Sequence, residues 1–173
     1  MSDQPADFIR SQGSIWVAHI MRRVASRIVD ASDEVLSDYG VIVPSKMASV
    51  VHLLHTQGPQ TVMAIATRTG QSHPLIHKYV QQLKSLKLVT SRDGDADRRQ
   101  TFVTLTAAGQ LQARRLVVAR THIVPALEKL MMEADAQVFE PLWRIEAALQ
   151  DKSMTARIRA EQRAQRLDQD DLK

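Results

Sequence analysis

The stretch whose reading decides the fold is LVTSRDGDADRRQTFVTLT, Leu88 to Thr106. It consists of a strand-like run, a charged tip with one glycine, and a second strand-like run. In the second run Thr101, Val103 and Leu105 share one face while Phe102 and Thr104 share the other. That period-2 alternation among β-branched residues predicts a strand. The tip from Asp93 to Arg99 is too long for a two-residue turn and is expected to project as a flexible finger. A polar finger ending in paired arginines fits an anionic groove. Taken alone it would equally be an exposed hairpin with solvated charges. The residues before it decide between the two.

Working back, Pro44 opens a helix in which Met47, Val50, Val51 and Leu54 keep helical spacing as far as Gly58-Pro59. Thr61 is placed to cap a short helix with Val62, Ile65 and Ala66, which stops at Gly70. Ser72 begins the next helix, with Pro74 in its first turn. Ile76, Val80, Leu83 and either Tyr79 or Leu86 form its inward stripe, leaving His73, Leu75, His77, Lys78, Gln81 and Gln82 outward. Two short helices joined through Gly70-Gln71-Ser72 make a helix-turn-helix, and the hairpin that follows at once makes it a winged helix.

Further out, Phe8 to about Tyr39 is free of proline, and Val17, Met21, Val24, Ile28, Ala31 and Val35 recur at three- and four-residue steps. This predicts one long helix, or two with a bend near Gly13, ending at Gly40. Its broad apolar surface needs more partner than one small domain offers, so a helical dimer interface is expected. On the other side Thr106 is expected to cap a long helix with Leu111, Leu116, Val118, Ile123, Leu127 and Leu130 as its apolar positions and a kink at Pro125. Asp135 is expected to cap a last helix holding Val138, Leu142, Ile145 and Leu149, bent at Pro141. The tail from Asp151 onward, with eleven charges, reads equally as a helical extension or a disordered end. The expected fold is therefore mainly α with a small β-hairpin wing. Residues 1–43 and 107–150 supply dimerisation helices, 44–106 the winged helix, and 151–173 a charged tail.

Composition is consistent with this and closes off other classes. The chain has 173 residues, 44% hydrophobic but only 4% aromatic, so its core is built from Leu, Val, Ile, Ala and Met. There is no cysteine, which excludes disulfides, thiolate metal sites and thiol redox switches. No run approaches a membrane span and the start of the chain has no secretory pattern, so a cytoplasmic location without membrane contact is expected. Net charge is +4. It is localised: Ser72 to Thr106 carries +3, Met1 to Thr56 −1, and Ala107 to Gln150 is neutral. A basic centre between near-neutral arms has the form of an electrostatic footprint for nucleic acid.

These residues resemble the multiple antibiotic resistance regulator (MarR) family of bacterial winged-helix transcription factors. The resemblance lies in Asp97-x-Arg99-x-x-x-Val103-x-Leu105-Thr106-x-x-Gly109, similar to that family's wing and following helix. Upstream, Thr61-Val62-x-x-Ile65-Ala66-x-x-x-Gly70-x-Ser72 and Ile76-x-Lys78-x-Val80-x-x-Leu83-x-x-x-x-Leu88-Val89 look like its helix-turn-helix. The similarity is specific over about 56–110. It implies a homodimer clamped by terminal helices, with recognition helices in successive major grooves of an operator duplex and wings in the flanking minor grooves. Arg99 matches the wing arginine of the minor groove and Asp97 the carboxylate that orients it. A small aromatic or phenolic effector is implied as well. Lys87 departs from the pattern, standing where the family usually has glycine, so the recognition helix is expected to end without a left-handed cap. His73-Pro74 is a second departure.

The expected DNA-binding residues are thus Ser72, His73, His77, Lys78, Gln81, Arg98 and Arg99, with Asp97 orienting the wing. A ligand pocket between the first helices and the reading head would draw on Trp16, His19, His52 and His55, although Trp16 and Trp143 fit core packing as well. No metal or other cofactor is expected. The acids Asp93, Asp95 and Asp97 lack the glycine and the final glutamate of a calcium loop. The three-residue spacing of His52 and His55 leaves a zinc- or other metal-responsive regulator as one competing reading. A winged-helix dimerising adaptor that does not bind DNA is another. An enzyme is excluded by the lack of a phosphate-cradling glycine loop, a nucleophile elbow or paired carboxylates.

Overall fold

The computed structural model describes residues 7–93 and 101–170. The elements in chain order are α1 (Phe8–Ser11), a 3-10 turn (Gly13–Trp16), α2 (Val17–Asp38), α3 (Ser45–Gln57), β1 (Gln60–Thr61), α4 (Val62–Thr69), α5 (His73–Ser85), β2 (Val89–Asp93), β3 (Thr101–Leu105), α6 (Ala107–Glu133), α7 (Phe139–Asp151) and α8 (Met154–Asp170). By internal packing the chain divides into two units, Met1–Ile123 and Val124–Lys173, with α6 contributing to both.

In the first unit the core is the inward stripe of the helix-turn-helix and its neighbours. Met47, Val50, Val51 and Leu54 of α3, Ile65 and Ala66 of α4, and Ile76, Val80 and Leu83 of α5 are buried together with Leu88, Val89, Val103 and Leu105. The sheet is antiparallel in the order β1-β3-β2, with Val89 opposite Leu105 and Asp93 opposite Thr101. The predicted hairpin is therefore present, and a third strand joins it: Gln60 and Thr61 pair with Val103 and Phe102. Two residues are too few to show a period of two.

The helix-turn-helix forms for the reasons its sequence gives. Thr61 Oγ1 accepts from the Ala64 N–H at 3.1 Å, and Gly70 takes a left-handed conformation at the end of α4 (φ 64°). At the end of α5 the structure corrects an expectation. Lys87 adopts the left-handed conformation without glycine's help, at φ 58°. Its N–H donates to the Lys84 carbonyl at 2.8 Å, and the Leu88 N–H donates to Leu83 at 2.9 Å. Leu83 and Leu88 are both buried, so their burial and two closing hydrogen bonds outweigh the crowding of a Cβ at positive φ.

The first helix takes the second of its two expected forms: α1 is set apart at Gly13 (φ 76°) from a 3-10 turn that runs directly into α2. Of α2 only Leu36 is buried, while Val17, Ile20, Met21, Val24, Val29 and Val35 stay exposed. The inward face of α6 is only partly the one read from its large apolar residues: Leu116 is buried and Ile123 packs against the core as expected. Leu111 and Val118 are exposed, whereas Gly109, Gln112, Ala113, Leu116 and Ala119 are buried. Small residues let α6 approach closely, and Gln112 repays its burial by hydrogen bonding. Its Oε1 accepts from the Ile42 N–H at 2.8 Å and its Nε2 donates to the Gly40 carbonyl at 3.3 Å.

In the second unit, Asp135 does not cap α7. It sits at φ 48° just past α6, and the Ala136 N–H closes back onto the Met131 carbonyl at 2.9 Å. The residue at the start of α7 is Val138. Pro141 falls in the first turn of α7, where its missing N–H costs no helical hydrogen bond, so the expected reason for a bend is absent. The stretch from Met154 to Asp170 is helical.

A candidate nucleic-acid interface

The recognition helix presents a single polar row. With Ile76, Val80 and Leu83 buried, the outer face of α5 carries His73, His77 and Gln81 at four-residue steps and Lys78 beside them, all exposed. Steps of four advance about 6 Å along the axis with a drift of about 40°, so the three polar side chains form a gently winding line about 12 Å long. Ser72, also exposed, occupies the N-cap position, but its side chain makes no capping hydrogen bond. The hydroxyl and the first N–H groups of α5 are available at the positive end of a helix dipole. Pro74, one residue into the helix, costs nothing there because its position has no intrahelical donor role.

The wing strands β2 and β3 follow directly, with Arg92 exposed on β2. The tip candidates Asp97, Arg98 and Arg99 lie outside the described residues. What positions the wing is clear on its inner side. Thr106 Oγ1 donates to the Lys87 carbonyl at 2.8 Å and accepts from the Gly109 N–H at 3.1 Å, while the Thr106 N–H donates to the Leu88 carbonyl at 3.0 Å. One threonine thus caps α6 and ties it to the end of the recognition helix.

The four residues named for a ligand pocket are not brought together. Trp16 lines a cleft of about 570 Å³ near the start of the chain with Asp7, Arg23 and Arg27. There the Asp7 carboxylate pairs with Arg23 at 2.5 Å, a hydrogen bond that, with one from the Ile9 N–H, holds its pKa below the usual value. His19 packs edge-on to Trp16 with ring centres 6.2 Å apart, and lines neither this cleft nor the one described next. His55 turns to α6, where its Nδ1 donates to Gln110 Oε1 at 2.9 Å.

His52 does line a cavity, of about 280 Å³, among α2, α3 and α6, whose walls include Ser32, Ser45, Leu116, Arg120 and Ile123. Arg120 Nη1 donates to His52 Nε2 at 3.3 Å, which requires a neutral ring with its proton on Nδ1. Burial lowers the His52 pKa, and the nearby Arg120 and His55 lower it further. Ser45 Oγ is buried here without a hydrogen-bond partner. Sequence reasoning missed Arg120 and Ser45. Nothing in a helical pattern marks one arginine among several on α6, or a serine in the first turn of α3, as facing the same hollow. Among the described residues no three His, Cys, Asp or Glu side chains are gathered as a metal site would need. No helix among them is long and apolar enough to cross a membrane.

Residues 47–100 match the model of the MarR family. No curated protein matches the sequence. Solved structures do match in fold. A Staphylococcus aureus MepR–DNA complex is similar at a TM-score of 0.64 and 16% identity, covering 76% of this chain and 97% of that one. Reduced AbfR bound to DNA is similar at 0.63 and 21%, covering 81% and 96%. Bordetella bronchiseptica BpsR, described with the regulation of its DNA binding by 6-hydroxynicotinic acid, is similar at 0.56 and 22%, covering 78% and 100%. The likeness is one of fold: a mainly helical chain with a small antiparallel sheet built around a winged helix.

Proposed function

We infer that this chain, whose winged helix is of the MarR type, is a sequence-specific DNA-binding transcriptional regulator. It works as a homodimer on a pseudo-palindromic operator, as a repressor released by a small aromatic or phenolic effector. The observation that carries the reading is the exposed row Ser72, His73, His77, Lys78 and Gln81 on α5, directly ahead of a basic hairpin. Lys78, Ser72 and the helix N-terminus take phosphates, and His73, His77 and Gln81 read base edges in the major groove. Arg98 and Arg99 enter the minor groove, with Asp97 orienting Arg99. The DNA complexes of MepR and AbfR support a duplex as the partner.

The dimer is supported by the apolar side chains left exposed on α2 and, in the second unit, by Phe139, Leu142, Trp143 and Ile145 of α7. The effector is supported by the cavity beside His52, where Arg120 and the unpartnered Ser45 hydroxyl offer an anionic single-ring molecule two donors among apolar walls. Such a molecule releases DNA only if it binds better to a dimer whose half-site spacing misfits the operator. Duplexes selected by the protein from a random pool, followed by fluorescence anisotropy over a salt series, test the reading. A steep fall of affinity with salt is expected, and Arg99→Ala should weaken binding by about 1–3 kcal/mol with the dimer intact. A flat salt dependence would overturn DNA binding and leave the adaptor.

A further inference from the structure

We propose that α8 is a second DNA contact, in which Arg159, Arg163 and Arg166, assisted by Gln162, grip the phosphate backbone. This inference rests on the DNA-binding reading above but concerns a surface outside the winged helix. Between Met154 and Arg166 the helix has four arginines and one glutamate. Arg157 is already engaged, its Nη2 donating to the Ala148 carbonyl at 2.7 Å and its Nε to Lys152 at 3.1 Å, so it fastens α8 to the end of α7. The other three are exposed and, among the described residues, have no ion-pair partner.

Their spacing puts them together. Positions 159, 162, 163 and 166 fall within an arc of about 100° on an α-helix, extending about 10 Å along its axis. The four side chains border one shallow hollow of about 210 Å³. Glu161 lies on the opposite side by position. Three like charges at three- and four-residue steps repel one another, which an isolated helix has no means of recovering. A row of phosphates recovers it, since each guanidinium can donate two parallel hydrogen bonds to phosphate oxygens. The hollow is open and holds no buried donor, so it suits a polyanion lying across it better than a single ion. A membrane surface fits poorly. Away from the arginines the exposed large apolar residues, among those described, are Met154 and Ile158, interspersed with Ala160, Glu161, Ala164 and Gln165, which is not the broad apolar stripe that an interfacial helix buries.

The test measures the full chain against a fluorescein-labelled duplex of arbitrary sequence, between about 50 and 200 mM potassium chloride. Arg159→Gln, Arg163→Gln and Arg166→Gln are combined in one variant, and Glu161→Gln serves as a control for charge elsewhere on the helix. The triple variant is expected to lose about tenfold or more in affinity, and its slope of log affinity against log salt should be shallower by about 2–3 per protomer. The control should keep the wild-type slope, and helicity by circular dichroism should be the same in all three proteins. An unchanged slope in the triple variant, with wild-type binding intact, overturns this inference and leaves the DNA-binding reading standing. Failure of the wild type to bind any duplex overturns both. Sedimentation with phosphatidylserine vesicles that depends on the three arginines, while duplex binding does not, overturns it in favour of lipid.

Discussion

Gly109 packs against the backbone of Leu88 so closely that a methyl group on its Cα would lie 2.0 Å from the Leu88 carbonyl oxygen. The contact brings the first turn of α6 onto the residue that leaves the recognition helix and enters the wing. That same carbonyl accepts the Thr106 N–H at 3.0 Å, so it cannot turn aside without losing a hydrogen bond. Gly109→Ala is therefore expected to destabilise the protein by at least about 1–3 kcal/mol, the usual cost of overpacking, and more if the backbone resists. Thermal unfolding measures it. A midpoint equal to wild type would mean that α6 can slide away from the wing.

Lys87 offers the opposite opportunity. Its left-handed conformation (φ 58°) costs an L-residue about 1–2 kcal/mol, which the two closing hydrogen bonds and the Leu83–Leu88 burial sustain. Lys87→Gly removes that crowding, and the added freedom of glycine in the unfolded chain takes back about 0.5–1 kcal/mol. The net expectation is a stabilisation of about 0.5–1 kcal/mol, seen as a higher urea midpoint with an unchanged slope. A lower midpoint would show that the lysine side chain contributes a contact worth more than the strain.

The two glycine-type positions also show where the sequence is readable. The helix-turn-helix was legible because its signals are local and agree: Thr61 at a cap, Gly70 past a helix end, and Ile76, Val80 and Leu83 at helical steps all meet in the structure. The inward face of α6 was legible only at Leu116 and Ile123, because its other contacts are made by Gly109, Ala113 and Ala119 and by a satisfied Gln112, none of which adds to a pattern of large apolar residues. The true face is chosen by how near the backbone must come, which hydrophobic periodicity does not encode. Asp135 misled for a different reason. Aspartate suits both a helix N-cap and the left-handed residue after a helix, and only the chain's path decides between them. The cavity beside His52 joins residues from α2, α3 and α6, and no local pattern reports such a meeting.

His52 makes stability depend on pH. Burial first, then Arg120 and His55, hold its pKa below the ordinary 6.5, so the folded protein favours the neutral ring. As pH falls through about 6.5 the unfolded chain binds a proton before the folded one does, and the equilibrium shifts toward unfolding. The contribution of His52 is thus fully present above 6.5 and is lost as pH falls from there to the depressed folded value, below which the loss stops growing. In urea titrations from about pH 8 to pH 5, His52→Gln should flatten this part of the profile. An identical profile in the variant would assign the pH dependence to other groups.

Arg120 decides whether the cavity is an effector site. It is a fixed cation at the rim, already donating to His52 Nε2 at 3.3 Å, and the Ser45 hydroxyl beside it is buried without a partner. An aromatic carboxylate or phenolate entering between α2, α3 and α6 would take both donors and bring a negative charge next to His52. That charge raises the His52 pKa above its depressed value in the free protein, so a ligand that keeps its own charge should bind more tightly as pH falls across the interval between the two. Arg120→Ala removes a charge-assisted hydrogen bond worth about 1.5–3 kcal/mol, a loss of roughly tenfold to a hundredfold in affinity. Calorimetric titration with a panel of single-ring aromatic acids, paired with release of a bound duplex, measures both effects. Ligands that release DNA equally well from Arg120→Ala as from wild type would place the effector elsewhere and leave this cavity a packing gap.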